Sequence, residues 1–210
     1  MDKTKWDSNA SPVRSEDDNK NDNTQPLSGA MAYLHDFAWL LAIVLLLFLL
    51  FFRVVIVSGP SMKPTLLDGD YLFLTGSLFY TNPEYGDIIV ASKNDFRNGE
   101  PIVKRVIAVE GQTVDIDFLQ GVVYVDGKAL DEPYTFTPTN LEEGMIFPLT
   151  VTENCVFVMG DNRNDSKDSR SYEIGLIDCR EILGKALFLL FPGDDKGEQR
   201  RDFSRIGALT

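Results

Sequence analysis

Apolar residues are unevenly placed along this chain of 210 residues. Charged and small polar residues dominate 1–36, with few large side chains to bury, a composition that predicts a disordered segment. Phe37–Phe52 is then apolar and free of charge; Arg53 interrupts, and Val54–Val57 continue the apolar run. Read as one helix, residues 37–57 would reach about 32 Å at roughly 1.5 Å per residue. That matches a hydrocarbon core of about 30 Å. Trp39 suits a membrane interface at one end, and Arg53 can snorkel to headgroups at the other. A buried core helix would keep some polar positions. A cleavable secretory peptide would be shorter, follow a basic region and precede a small-x-small site. The pattern therefore predicts one transmembrane signal anchor over 37–57.

Beyond the anchor the pattern changes to short apolar or alternating runs between turn residues. Tyr71–Thr75 follows Asp68-Gly69-Asp70, Asp87–Ala91 follows Tyr85-Gly86, and Ile102–Glu110 lies between Asn98-Gly99 and Gly111-Gln112. Val122–Val125 runs into Asp126-Gly127, a strong hairpin signal. Cys155–Met159 and Lys185–Phe191 complete the set. Short strands at this spacing predict an all-β, antiparallel domain over 58–192, followed by a charged, glycine-containing tail over 193–210.

Composition narrows the chemistry. A net charge of −12 with no visible basic patch argues against nucleic acid as a partner. Cys155 and Cys179 are too few for a disulfide scaffold or a zinc site, and leave open either two buried thiols or one bridge. The one histidine, His35, precedes the anchor. Serine–histidine and cysteine–histidine catalysis in the outer domain are thereby excluded, as are histidine zinc sites. A hydroxyl activated by lysine, or a pair of carboxylates, remains.

Lysine serves as a base only as the neutral amine, so its reference pKa of about 10.4 must be pulled down by apolar burial. A catalytic lysine belongs in an apolar strand, and Lys104 lies in one, Ile102–Val109. Alternation puts Ile102, Lys104 and Val106 on one face and Val103, Arg105 and Ile107 on the other, so one of the two adjacent cations should point inward. The alternative is a pair of edge-strand charges that discourage aggregation. Asp161, Asp165 and Asp168 also have a spacing reminiscent of calcium ligands.

Ser58-Gly59-Pro60-Ser61-Met62-Lys63-Pro64-Thr65-Leu66 resembles the SGxSMxPTL signature of bacterial type I signal peptidases, and Leu67-Asp68-Gly69-Asp70 continues the likeness. Tyr85–Val90 and Val103–Ile107 are similar to the family's next boxes, the second of which carries its lysine. Val123–Lys128 and Glu132-Pro133-Tyr134 also fit. Gly160-Asp161-Asn162-Arg163-Asn164-Asp165-Ser166-Lys167-Asp168-Ser169-Arg170 resembles the GDNRxxSxDSR box. The boxes occur in order from about residue 38 to 192, in the compact single-span form.

This resemblance implies an antiparallel coiled β-sheet catalytic domain. It implies Ser61 as nucleophile, Lys104 as general base, Ser166 orienting the lysine amine, and Asp168 with Arg170 as a structural ion pair. The Ser61 amide would supply one oxyanion-hole donor. Some members carry a serine two residues before the nucleophile as the second donor; here that residue is Gly59, with no side chain to offer. Met62, Leu66 and Val103 are expected to line substrate pockets for small residues. No metal or cofactor is implied.

Expected partners are preprotein signal peptides, cut after small-x-small motifs, and membrane lipid, with the enzyme a monomer. Ser61 lies four residues beyond Val57, at most about 14 Å of extended chain, so it would work close to the membrane. The positive-inside rule does not decide topology here. The function places residues 1–36 in the cytoplasm and the β domain outside. Two other readings stand: a self-cleaving repressor relative with the same serine–lysine chemistry, and a membrane-tethered β module that binds without cutting.

Overall fold

The computed structural model describes residues 29–77, 80–93, 96, 99–194 and 201–209. The chain divides into two units, residues 1–42 and 43–210. Helix α1 spans Gly29–Phe51, and Met31–Phe48 within it is long and apolar enough to cross a membrane. The disorder expected over residues 1–28 lies outside the described residues, whereas residues 29–36 are helical.

The anchor's far end also differs from expectation. Residues 52–56 form a strand, not the last turns of a helix. Val54, Val55 and Ile56 are β-branched, and such side chains are stiff in a helix but pack well on a pleated surface. They pair with the strand Tyr71–Thr75, and Phe52 and Phe73 stack with ring centroids 4.8 Å apart.

In chain order the strands are β1 (Phe52–Ile56), β2 (Tyr71–Thr75), β3 (Ile88–Ser92), β4 (Pro101–Val109), β5 (Thr113–Asp117) and β6 (Val122–Val125). Then come β7 (Lys128–Ala129), β8 (Leu149–Thr150), β9 (Cys155–Met159), β10 (Ile177–Asp178), β11 (Ile182–Phe191) and β12 (Gly207–Ala208). The larger sheet has the order β1-β2-β11-β3-β4-β9-β10, with β12 on β11; the smaller is β7-β6-β5-β8. Every pairing is antiparallel, as the turn spacing predicts, and the sheets do not close into a barrel. The β6–β7 hairpin turns through Asp126 and Gly127 at φ 51° and 75°, the left-handed pair that a two-residue hairpin requires.

The loop that carries Ser61 packs its apolar side chains into one core cluster with Leu72, Leu74, Val90 and Leu189. A second cluster forms around Ile89, Val106 and Ile177, and a third between the two sheets around Phe157, Val114 and Val123. The segment after β11 is not a free tail. Gly207–Ala208 pairs with β11, and Leu209 packs against the first cluster.

Gly184 of β11 packs against the end of β2, where an added Cβ would stand 1.9 Å from the Thr75 carbonyl oxygen. Backbone cannot yield as a side chain tip can. Gly184→Ala is expected to cost roughly 1–3 kcal/mol, read as a lower urea midpoint by circular dichroism; an unchanged midpoint would contradict this packing.

Candidate functional site

A loop from Val57 to Asp70 carries Ser61. Its two ends are tied by Val57 N–H donating to the Asp70 carbonyl at 2.8 Å and Gly69 N–H to the Val57 carbonyl at 2.9 Å. Met62 and Leu66 turn inward, 1% and 0% exposed, and anchor the loop as apolar plugs. Facing it, β4 presents Lys104. Its Nζ donates to Ser61 Oγ at 2.8 Å and to the Val103 carbonyl at 2.9 Å.

Lys104 and Arg105 are both buried, at 5% and 3% exposed. Strand alternation predicts one inward cation; burial on both faces of β4 makes it two. Arg105 points away from Lys104 and grips Asp161 bidentately, Nε to Oδ1 at 2.9 Å and Nη2 to Oδ2 at 2.8 Å. Its guanidinium also lies 4.1 Å from the centre of the Tyr134 ring, a cation–π contact.

The segment 160–170 docks directly on the Ser61 loop. Asn162 N–H donates to the Ser61 carbonyl at 3.0 Å, and its side-chain amide to the Pro60 carbonyl at 3.2 Å. Gly160 makes this approach possible. A Cβ there would stand 2.2 Å from Ser166 Oγ and 2.4 Å from the Ser61 carbonyl oxygen. Asp161 also accepts a short hydrogen bond from Thr65 Oγ1, so the two segments are joined by backbone and side chain.

Ser166 is 5% exposed and donates to Asp168 Oδ2 at 2.9 Å, and that oxygen also accepts from Gly160 N–H at 3.0 Å. Arg170 holds Asp168 through Nε at 2.8 Å and Nη2 at 2.9 Å, both side chains fully buried. Arg163 likewise pairs with Glu132, at 2.8 and 2.6 Å. Burial works against the Arg163 charge, but the hydrogen bonds and charge of Glu132 prevail and hold its guanidinium above the usual value. Glu143 is raised above the ordinary carboxylate range, first by burial and then by the charge of Asp168 beside it.

Ser61, Lys104 and Ser166 line one cleft of about 440 Å³. Val55–Pro60 form one wall and Pro101–Val103 another, with Glu143 and Asp165 on the 141–167 side. β9 pairs only with Arg105–Val109, so the Pro101–Lys104 edge on that side carries no strand among the described residues. Among the described residues β1 pairs only with β2, which leaves its other edge open as well.

Several expected residues are therefore together: Ser61 with Lys104, Ser166 in the same cleft, and Asp168 bonded to Arg170. Val103 lines the cleft. Met62 and Leu66 do not line it, because the loop turns their side chains into the core. Gly59 adopts φ +89°, a conformation that suits glycine, and its amide donates to Asp68 Oδ1 at 2.7 Å. That N–H is committed and cannot serve a substrate oxyanion. The Ser61 N–H has no hydrogen-bond partner among the described residues. Asp161 and Asp168 are each occupied by an arginine and Asp165 is exposed, so the three do not converge as calcium ligands.

Sequence reasoning missed Thr65, Asn162, Glu132 and Glu143. Thr65, Asn162 and Glu132 lie inside recognisable boxes, which was the one hint; Glu143 lies outside them. Glu132 and Glu143 acquire their roles through contacts 25 or more residues distant in sequence, at 31 and 25 positions.

The profile of the family described as "Signal peptidase, peptidase S26" matches residues 30–191. The chain belongs to this signal peptidase family. Among S26 relatives, a probable signal peptidase I-1 of Synechocystis sp. is 38% identical over 180 residues, covering 81% of this chain and 88% of that protein. Signal peptidase I of Bacillus licheniformis is 36% identical over 170 residues, covering 74% of this chain and 89% of that protein. A crystal structure of a signal peptidase I from Enterococcus faecalis V583 is 30% identical with a TM-score of 0.40, covering 50% of this chain and 96% of that chain.

The Arg105–Asp161 pair joins this S26 site to the sheet. Asp161→Asn would leave the Arg105 charge buried without its counter-ion, and is expected to cost roughly 3–5 kcal/mol. Urea unfolding of the two proteins measures it; a loss below about 1 kcal/mol, the scale of an exposed pair, would refute the structural role.

Proposed function

We propose that the chain is a membrane-anchored serine endopeptidase that removes signal peptides from exported preproteins, with Ser61 and Lys104 as its catalytic pair. The observation that carries the pair is the 2.8 Å contact between a buried Lys104 Nζ and Ser61 Oγ. Histidine cannot replace the lysine, since His35 lies in the apolar helix.

In the reaction, neutral Lys104 takes the Ser61 hydroxyl proton as Oγ attacks the scissile carbonyl. The oxyanion of the tetrahedral intermediate accepts from the Ser61 N–H, free for that purpose. Lys104 then gives its proton to the leaving amine, and the mature protein departs. Water, deprotonated by the same amine, hydrolyses the acyl-enzyme and releases the signal peptide. Ser166, fixed by Asp168, holds the amine in line. The open edges of β1 and β4 flank the cleft, so the extended residues before the cut can add as a strand, giving main-chain affinity with pockets for alternate side chains. Val103 and Val57 line the cleft there, and their apolar surface suits the small side chains of a small-x-small motif.

The anchor sets where this happens. Since α1 ends at Phe51, ten residues before Ser61, the chain permits a reach of up to about 36 Å, more than the sequence pattern implied. Activity outside the cytoplasm, on preproteins still held in the lipid by their signal segments, puts the N-terminus inside and the β domain outside. One chain carries every residue in the scheme, consistent with a monomer.

Lys104→Met and Ser61→Ala are each expected to leave a folded protein that does not cleave a preprotein carrying an Ala-x-Ala site, as read by N-terminal sequencing of the product. Substantial cleavage by either variant would remove that residue from the pair. In the parent enzyme, kcat/KM should rise with pH, because the base works only when deprotonated, and chelators should leave it unchanged.

A further inference from the structure

The segment beyond β11 holds the base of the nucleophile loop. Arg205 donates from Nη1 to Asp70 Oδ1 at 3.0 Å and from Nη2 to Asp70 Oδ2 at 2.6 Å. The same Nη2 reaches the Thr65 carbonyl at 3.2 Å. Asp70 is fully buried, and its carboxylate also accepts from Leu67 N–H at 2.7 Å and Gly193 N–H at 2.6 Å. Four donors thus converge on a carboxylate that closes the loop.

The strap is built to stay. Gly193 passes so near the loop that a Cβ would stand 1.9 Å from the Asp68 carbonyl oxygen. Arg201 donates to the Pro192 carbonyl at 3.1 Å and lies 4.7 Å over the Phe191 ring. β12 pairs with β11, and Leu209 N–H donates to the Leu187 carbonyl at 2.9 Å. Thr65 is consequently held from two sides: its hydroxyl by Asp161 and its carbonyl by Arg205.

We propose that Arg205 is a positioning residue for Ser61. It acts through Asp70 and the Thr65 carbonyl to hold the nucleophile loop in register with Lys104. This rests on Ser61 being the nucleophile. An arginine fork meets a carboxylate and a carbonyl together, which the single ammonium of lysine cannot reproduce. A loop displaced by a fraction of an ångström lowers turnover without abolishing substrate binding.

The competing explanation is that Arg205 only neutralises a buried charge. The test uses the full chain in detergent with a preprotein substrate. Arg205→Lys keeps the charge and loses the fork; kcat is expected to fall about tenfold with KM within about twofold. The double variant Asp70→Asn, Arg205→Met removes charge and fork together. It should melt near the parent temperature while its kcat stays low. Parent-like kcat in Arg205→Lys, or recovery of kcat together with melting temperature in the double variant, would overturn the proposal. Ser61→Ala run alongside separates the two claims. Cleavage by that variant sinks the nucleophile assignment, whereas an inactive Ser61→Ala beside a fully active Arg205→Lys sinks the positioning alone.

Discussion

Adjacent residues in an extended strand point to opposite faces, and at Lys104 and Arg105 both faces of β4 are buried. Much of the site follows from that constraint. Arg105 cannot leave its carboxylate without stranding a charge in the protein interior, so its bidentate hold on Asp161 fixes the rotation of β4. Lys104, one residue earlier, is thereby aimed at Ser61. The cation that does no chemistry orients the one proposed to do it.

Asp161 extends the constraint to the rest of the centre. It stands one residue after Gly160, whose missing side chain lets the 160–170 segment lie against Ser61. The same segment carries Ser166 and the Asp168–Arg170 pair. Three arginine–carboxylate pairs, Arg105–Asp161, Arg163–Glu132 and Arg170–Asp168, are nearly dry. Buried pairs are weak contributors to net stability, but they tolerate few alternative geometries, because each misplacement leaves a desolvated charge. Around the hydroxyl–amine reaction proposed here, that intolerance is useful.

Periodicity and turn chemistry made the antiparallel β domain legible, and Asp126-Gly127 marked its hairpin. The ordered boxes marked Ser61, Lys104, Ser166, Asp168 and Arg170. Other features were hidden for identifiable reasons. Val54–Val57 reads as apolar in either a helix or a strand, and only pairing with Tyr71–Thr75 decides between them. Met62 and Leu66 sit beside Ser61 in sequence, but the loop's helical turn sends them into the core. Sequence proximity to a site does not report side-chain direction. Arg205 and Asp70 are 135 positions apart, with no local pattern to connect them.

That separation bears on how the molecule matures. Asp70 closes the loop that carries Ser61, and its counter-charge is supplied by one of the last parts of the described chain to be synthesised. Until Arg205 has been translated, the loop contains a carboxylate whose arginine partner is missing. A nascent chain thus holds Ser61 in a loop that is not yet closed, so the order of synthesis itself delays the settling of the site.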